Sequence, residues 1–136
     1  MTLNTPTIIQ LPKICDPRGN LSFIQNGNNL PFEIARCYWI YDVPGGKMRE
    51  PHAFRTQEQL IVAMSGSFDV VISTPDDSRE RYRLDRSYNG LYLPAMTWRG
   101  LDNFSTNSVA MILSSTLYEP QDYINDFELY KALCQK

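Results

Sequence analysis

Gln59-Leu60-Ile61-Val62-Ala63-Met64-Ser65-Gly66-Ser67-Phe68-Asp69-Val70-Val71-Ile72-Ser73-Thr74 holds two short apolar runs parted at a single glycine. Each run has the length of a strand and is bounded by turn formers. The pair therefore reads as strands Gln59–Ser65 and Ser67–Thr74, joined by a tight hairpin at Ser65-Gly66. The same rhythm continues outward, through Leu21–Gln25 and Ala35–Asp42 upstream and Gly90–Leu93 and Ser108–Ser115 downstream. Asp16-Pro17-Arg18-Gly19, Asn26-Gly27-Asn28-Asn29, Pro44-Gly45-Gly46 and Thr74-Pro75-Asp76-Asp77 supply turn chemistry between them. Many short strands with such punctuation predict an all-β barrel or sandwich.

Within Ala35–Asp42, alternation sends Arg36, Tyr38 and Ile40 to one face and Cys37, Trp39 and Tyr41 to the other, so both faces are expected to be covered. Arginine and tyrosine beside isoleucine suit the partly polar lining of a small barrel that holds a ligand. An edge strand with its arginine in solvent fits equally well. After Pro120 the period changes: Tyr123, Phe127 and Tyr130 recur at i, i+4 and i+7, with Asp122 and Asp126 near the start and Lys131 toward the end. This predicts an amphipathic helix whose charges suit its dipole and whose aromatic stripe packs on the barrel.

The 136 residues make one domain of ordinary size. Thirteen basic against fifteen acidic residues give a net charge of -2, so there is no general positive field for nucleic acid, and any anion site must be a local cluster of arginines. No apolar run approaches the roughly 18 residues of a spanning helix, and no membrane partner is expected. Met1 to Gln10 lacks the basic start and apolar middle of a signal peptide, and Cys15, Cys37 and Cys134 are odd in number and scattered. The expected location is the cytoplasm, with free thiols. With one histidine and no paired cysteines, neither a metal site nor another cofactor is expected.

Reactive residue types are densest in Lys47-Met48-Arg49-Glu50-Pro51-His52-Ala53-Phe54-Arg55-Thr56-Gln57-Glu58-Gln59. Period two aims His52 and Phe54 the same way, and imidazole, with an unperturbed pKa of about 6.5, suits proton transfer near neutrality. Arginines at 18, 36, 49, 55 and 99 offer forks that match phosphate oxygens. Arg18 in a turn and Arg36 in mid-strand are the least ordinary placements. Tyr92-Leu93-Pro94-Ala95-Met96-Thr97-Trp98-Arg99 carries two large aromatics able to stack on a base or sugar, although packing in the core is their default role.

Taken in order, Asp16-x-Arg18-Gly19, Pro31-Phe32-x-Ile34-x-Arg36-x-Tyr38-x-Ile40, Arg49-x-x-His52-Ala53 with Glu58-Gln59, Gly90-Leu91-Tyr92, Trp98, Asn103-Phe104-Ser105 and Asp122-Tyr123-Ile124 closely resemble the sugar 3,4-ketoisomerases of deoxysugar biosynthesis. The resemblance runs in register over nearly the whole chain. It implies one RmlC-like cupin domain over residues 1–136, a double-stranded β-helix or jelly roll with a C-terminal α-helix, and a homodimer that exchanges a strand. It also implies a metal-free, cytoplasmic isomerase that moves a carbonyl between C4 and C3 of a dTDP-linked keto-deoxysugar. On the matching positions, His52 and Tyr38 would be catalytic. Arg18, Arg36, Arg49, Gln59, Tyr92 and Trp98 would contact substrate, the arginines through the diphosphate or sugar and the two aromatics as cavity walls; Arg99, at a position where the chain departs from the family, is expected to contact substrate as well.

Family members typically read Arg-Gly-x-His-Ala-His-Lys where this chain reads Arg49-Glu50-Pro51-His52-Ala53-Phe54-Arg55, and a Trp-His pair where it has Trp98-Arg99. Neither phenylalanine nor a permanently protonated guanidinium can do what imidazole does. Three outcomes stay open on these residues: His52 alone shuttles the proton, the chain acts on a different nucleotide-activated sugar, or it is an inactive sugar-nucleotide-binding cupin.

Overall fold

The computed structural model describes residues 4–135. Met1 to Leu3 of the amino-terminal stretch, and Lys136, lie outside the described residues. One antiparallel sheet has the order β1 (Thr7–Gln10), β9 (Asn89–Leu93), β6 (Gln59–Ser65), β11 (Val109–Ser114), β4 (Arg36–Tyr41). The facing sheet runs β12 (Tyr123–Ile124), β5 (Arg49–Phe54), β10 (Trp98–Asp102), β7 (Phe68–Ser73), β8 (Arg79–Leu84). A small hairpin of β2 (Lys13–Ile14) and β3 (Leu21–Ser22) stands apart, and helix α1 (Phe127–Cys134) follows β12. The expected all-β jelly roll with a carboxyl-terminal helix is what forms.

Burial of alternate residues makes three apolar layers. Ile61, Phe68, Val70, Leu91, Leu101 and Ile112, each 0% exposed, fill the space between the sheets. Such side chains typically cost about 2–5 kcal/mol each when cut to alanine. Outside the first sheet, Leu60, Val62, Tyr92 and Leu113 pack with Leu11 and Phe32 from the amino-terminal segment. Outside the second, Ala53, Trp98 and Ile124 pack with Tyr130 of α1.

The tight turn at Ser65-Gly66 is not a hairpin. β6 pairs with β9 and β11, whereas β7 pairs with β10 and β8, so the chain crosses there from one sheet to the other. Gly66 has φ +65°, and a Cβ on it would come 2.9 Å from Ser108 Cα and against the Ser105 hydroxyl. The Ser67 N–H donates to Ser105 Oγ at 2.8 Å, which pins the corner.

The helix also starts later than its aromatic stripe suggests. Tyr123 and Ile124 pair as strand residues with Phe54 and Ala53. Helix α1 begins behind Asp126, whose carboxylate accepts from the Glu128 N–H at 3.0 Å as an N-cap. Leu21–Gln25 contracts to Leu21–Ser22, and β1, β5, β8 and β10 carry no clean apolar alternation in the sequence. β4 is an edge strand. Its Arg36, Tyr38 and Ile40 face is half-buried, whereas Trp39 and Tyr41 are each 59% exposed, so the described residues do not supply the cover expected on the second face.

Candidate active site

Strands of both sheets line a cavity of about 350 Å³, bordered by Tyr38 and Ile40 from β4, Arg49 and His52 from β5, Arg99 from β10, and Tyr123 from β12. The antiparallel pairing of β5 with β10 sets His52 directly opposite Arg99. Cross-strand partners share a face, so imidazole and guanidinium look into the same space. A larger groove of about 540 Å³ lies outside the first sheet, but its lining, chiefly Leu11, Ile24, Ile34, Val62, Met111 and Leu113, has no titratable side chain.

Arg99 is the unusual member. It is 3% exposed, and no carboxylate borders the cavity among the described side chains. Its Nε and Nη2 donate to Gln59 Oε1 at 3.2 and 2.9 Å, Nη2 reaches Tyr38 Oη at 3.5 Å, and its guanidinium carbon lies 5.8 Å from the Phe54 ring centre. Burial pushes the guanidinium below its ordinary pKa, Tyr38 pulls it back up, and the positive charge of Arg49 lowers it again. A desolvated cation held by neutral groups is poised to meet an anion that arrives later.

The histidine ring sits in an aromatic corner. It lies 4.9 Å from Phe54, edge to face, and 5.1 Å from Tyr123, while Phe54 and Tyr123 are 4.7 Å apart. Phe54, where the resembled family carries histidine, is 3% exposed and serves as a packing wall for His52. Arg36 stacks with its guanidinium carbon 4.6 Å over Tyr38 and 5.4 Å over Tyr118. Its Nε is buried with no hydrogen-bond partner among the described residues.

What holds these strands in register is a carboxylate far along the chain. Asp122, 8% exposed, accepts from the Thr56 N–H and hydroxyl, both at 2.9 Å, and from the Gln57 N–H at 3.0 Å. That fixes the link between β5, which carries His52, and β6, which carries Gln59. The charge pattern suggested a helix-dipole role for Asp122; its place in a short turn before β12 gives it this clamping role instead.

Not every expected site residue reaches the cavity. Trp98 points to the opposite face of β10 and packs on Phe127 at 5.1 Å and Tyr130 at 5.6 Å. Tyr92 is buried in the outer layer against Phe32, and its hydroxyl donates to Glu58 Oε1 at 2.5 Å. Burial first, then that carboxylate, drives the Tyr92 pKa far above its usual value. Arg18 caps the β2–β3 turn with a 90% exposed side chain paired to Asp16 at 2.9 Å, away from the cavity of its own chain. Gln59 is 2% exposed, and its amide is fully engaged by protein groups. Tyr123, read only as helix stripe, and Asn125 border the cavity without having been expected there, although Asp122-Tyr123-Ile124 belonged to the resemblance.

The FdtA family model, described as WxcM-like, C-terminal, matches residues 4–135. A protein of Aneurinibacillus thermoaerophilus named TDP-4-oxo-6-deoxy-alpha-D-glucose-3,4-oxoisomerase is 35% identical over 129 residues, covering 95% of this chain and 92% of its own. The solved structure of the WlaRB TDP-quinovose 3,4-ketoisomerase of Campylobacter jejuni superposes with a TM-score of 0.88 at 32% identity, covering 96% of this chain and 99% of that one. The sugar 3,4-ketoisomerase QdtA of Thermoanaerobacterium thermosaccharolyticum, in complex with TDP, gives a TM-score of 0.93 at 27% identity over 98% and 97% of the two chains.

Proposed function

We propose that this chain, which belongs to the FdtA (WxcM-like, C-terminal) family, is a single-domain sugar 3,4-ketoisomerase that acts on a TDP-linked 4-keto-6-deoxyhexose. The observation that carries this reading is the convergence of His52, Tyr38 and Arg99 on one cavity bordered by no carboxylate among the described side chains.

The isomerisation moves one hydrogen between carbons and one between oxygens. Neutral His52 takes the proton from C3, the C3–H electron pair becomes the C3–C4 double bond, and the former C4 carbonyl oxygen takes a proton from the Tyr38 hydroxyl. In the enediol, Tyr38 recovers the proton of the C3 hydroxyl as the C3 carbonyl forms, and the imidazolium returns its proton to C4. No electron leaves the sugar. Arg99 offsets the negative charge that develops on the oxygens, a role in which removing a single donor commonly costs about 10²–10³ in rate. Arg36 and Arg49 are suited to the diphosphate by charge and fork geometry.

Incubation with TDP-4-keto-6-deoxyglucose in deuterated water, followed by NMR, tests the reading. It expects a 3-keto sugar, with solvent deuterium at C4 in every turnover in which the imidazolium proton exchanges with water before its return. His52→Asn should lower turnover by about 10²–10⁴-fold or more while leaving TDP affinity nearly unchanged. Binding of the sugar without either signal would overturn the enzyme reading in favour of an inactive sugar-nucleotide-binding cupin, which Phe54 at the place of the second histidine favours.

The same reading includes a homodimer, supported by the exposed Trp39 and Tyr41 face of β4, an apolar surface suited to a second copy. It also includes a reducing compartment such as the cytoplasm, which suits the exposed free thiols Cys15, Cys37 and Cys134.

A further inference from the structure

The hydrogen-bond capacity of Gln59 is used up by protein groups, and the direction of each bond is forced. Its Oε1 accepts from Arg99 Nε and Nη2 at 3.2 and 2.9 Å. A guanidinium has donors and no acceptor, so the amide cannot turn round. Its Nε2 must face away from Arg99, and there it donates to Tyr38 Oη at 3.1 Å and to Gln57 Oε1 at 2.7 Å. Gln57 is held in turn by donating from Nε2 to Thr116 Oγ1 at 2.8 Å. Gln57 and Gln59 are 1% and 2% exposed, so no solvent competes.

Tyr38 Oη thus receives the amide hydrogen of Gln59 and, at 3.5 Å, approaches Nη2 of Arg99. Both neighbours are donors, so neither can accept the phenolic hydrogen, which is left directed at the cavity. We infer that Gln59 is a positioning residue: locked by Arg99 on one side and Gln57 on the other, it presents Tyr38 to the sugar as a hydrogen-bond donor with one defined polarity. This rests on the isomerase reading above and adds to it the residue that prepares Tyr38 for the first proton transfer to oxygen.

The test compares Gln59→Glu with Gln59→Leu, each in the unsubstituted chain and in a Tyr38→Phe background. Single-turnover conversion of TDP-4-keto-6-deoxyglucose, TDP affinity and thermal unfolding are measured for all. Glutamate is nearly isosteric and keeps an acceptor for Arg99, but it offers Tyr38 only oxygens and so captures the phenolic hydrogen. Gln57 can turn its own amide to donate to the new carboxylate, with the Thr116 hydroxyl donating to its oxygen, so the fold has a way to adapt.

The expected result is that Gln59→Glu lowers the turnover rate by about 10²-fold or more and loses more activity than Gln59→Leu, with TDP affinity nearly unchanged. In the Tyr38→Phe background the Glu effect should be at least about tenfold smaller than in the unsubstituted chain, because its target is gone and only the carboxylate's effect on the Arg99 charge remains. A purely structural role gives the opposite order, Leu worse than Glu, and would overturn the inference alone. So would a Glu effect that persists undiminished in Tyr38→Phe, which would mean that the carboxylate acts by neutralising Arg99. Absence of turnover in the unsubstituted chain overturns the isomerase reading and this inference with it.

Discussion

Replacing Arg99 by methionine should separate stability from activity in opposite directions. The guanidinium is 3% exposed, has no carboxylate partner among the described side chains, and is held below its ordinary pKa chiefly by burial. A basic group depressed in the folded state is a charge the fold carries at a cost at every pH below its folded pKa, neutrality included. Desolvating such an ion costs several kcal/mol. Methionine fills most of the vacated stem with a flexible apolar chain. Against that gain stands Gln59 Oε1, which loses both donors, a loss of about 1–3 kcal/mol. The net effect is a stability between unchanged and about 2 kcal/mol higher. With an unfolding entropy of about 2.1 cal/mol/K per residue, that is a rise of up to roughly 7 °C in Tm. Turnover should fall by about 10²–10³-fold, the cost of one missing oxyanion donor. A full charge at about 4 Å and an effective dielectric constant of about 20 supplies about 4 kcal/mol, which is enough for that loss. Thermal unfolding and the deuterium-incorporation assay on the same preparation read both quantities. A variant that unfolds about 3 kcal/mol more easily yet isomerises at an unchanged rate would make Arg99 a structural residue and refute the reasoning.

Asp122→Ala should cost about 3 kcal/mol and lower Tm by about 10 °C, because two backbone N–H groups and one hydroxyl lose a charged acceptor at a buried link; urea unfolding checks it, and a loss under 1 kcal/mol would mean that the link is held by other contacts. Phe54→His should lower Tm by several degrees through lost apolar packing without raising turnover more than about threefold, since the ring at 54 is a wall for His52 and does not border the cavity. A tenfold gain in rate would identify the missing second imidazole as the limit on this chain's chemistry.

The parts of the fold legible in the sequence are those where one local rule decides. Gln59–Ser65 is found at its full bounds because a continuous apolar run between turn formers can be little else. β8 was hidden because Arg79-Glu80-Arg81-Tyr82-Arg83-Leu84 puts its three arginines on the outward face of an edge strand and leaves Tyr82 and Leu84 as the only apolar residues on the other. The corner at Ser65-Gly66 was misread because a short turn says nothing of which strands its flanks will pair with. In a jelly roll β6 takes β9 and β11 as partners and β7 takes β10 beside the adjacent β8, so three of the four pairings join segments well separated along the chain. The site depends on the same kind of long-range information: Arg99 meets His52 only through the register of β5 against β10, and Asp122 reaches Thr56 across a separation of 66 residues.

Strand alternation along β10 by itself keeps Trp98 and Arg99 from sharing one face. Trp98 and Arg99 were both expected to face the substrate, yet they are neighbours in a strand, where successive side chains point to opposite faces. If the cavity takes Arg99, the tryptophan must lie on the outer face of β10, and an outer face bearing so large an apolar ring needs cover. The amphipathic segment after Pro120 is a suitable source of that cover, and Phe127 and Tyr130 of α1 are what Trp98 meets. The carboxyl-terminal helix thus follows from the same alternation that turns Arg99 inward. The buried guanidinium and the helix are two sides of one strand, and a reading that places either correctly places the other.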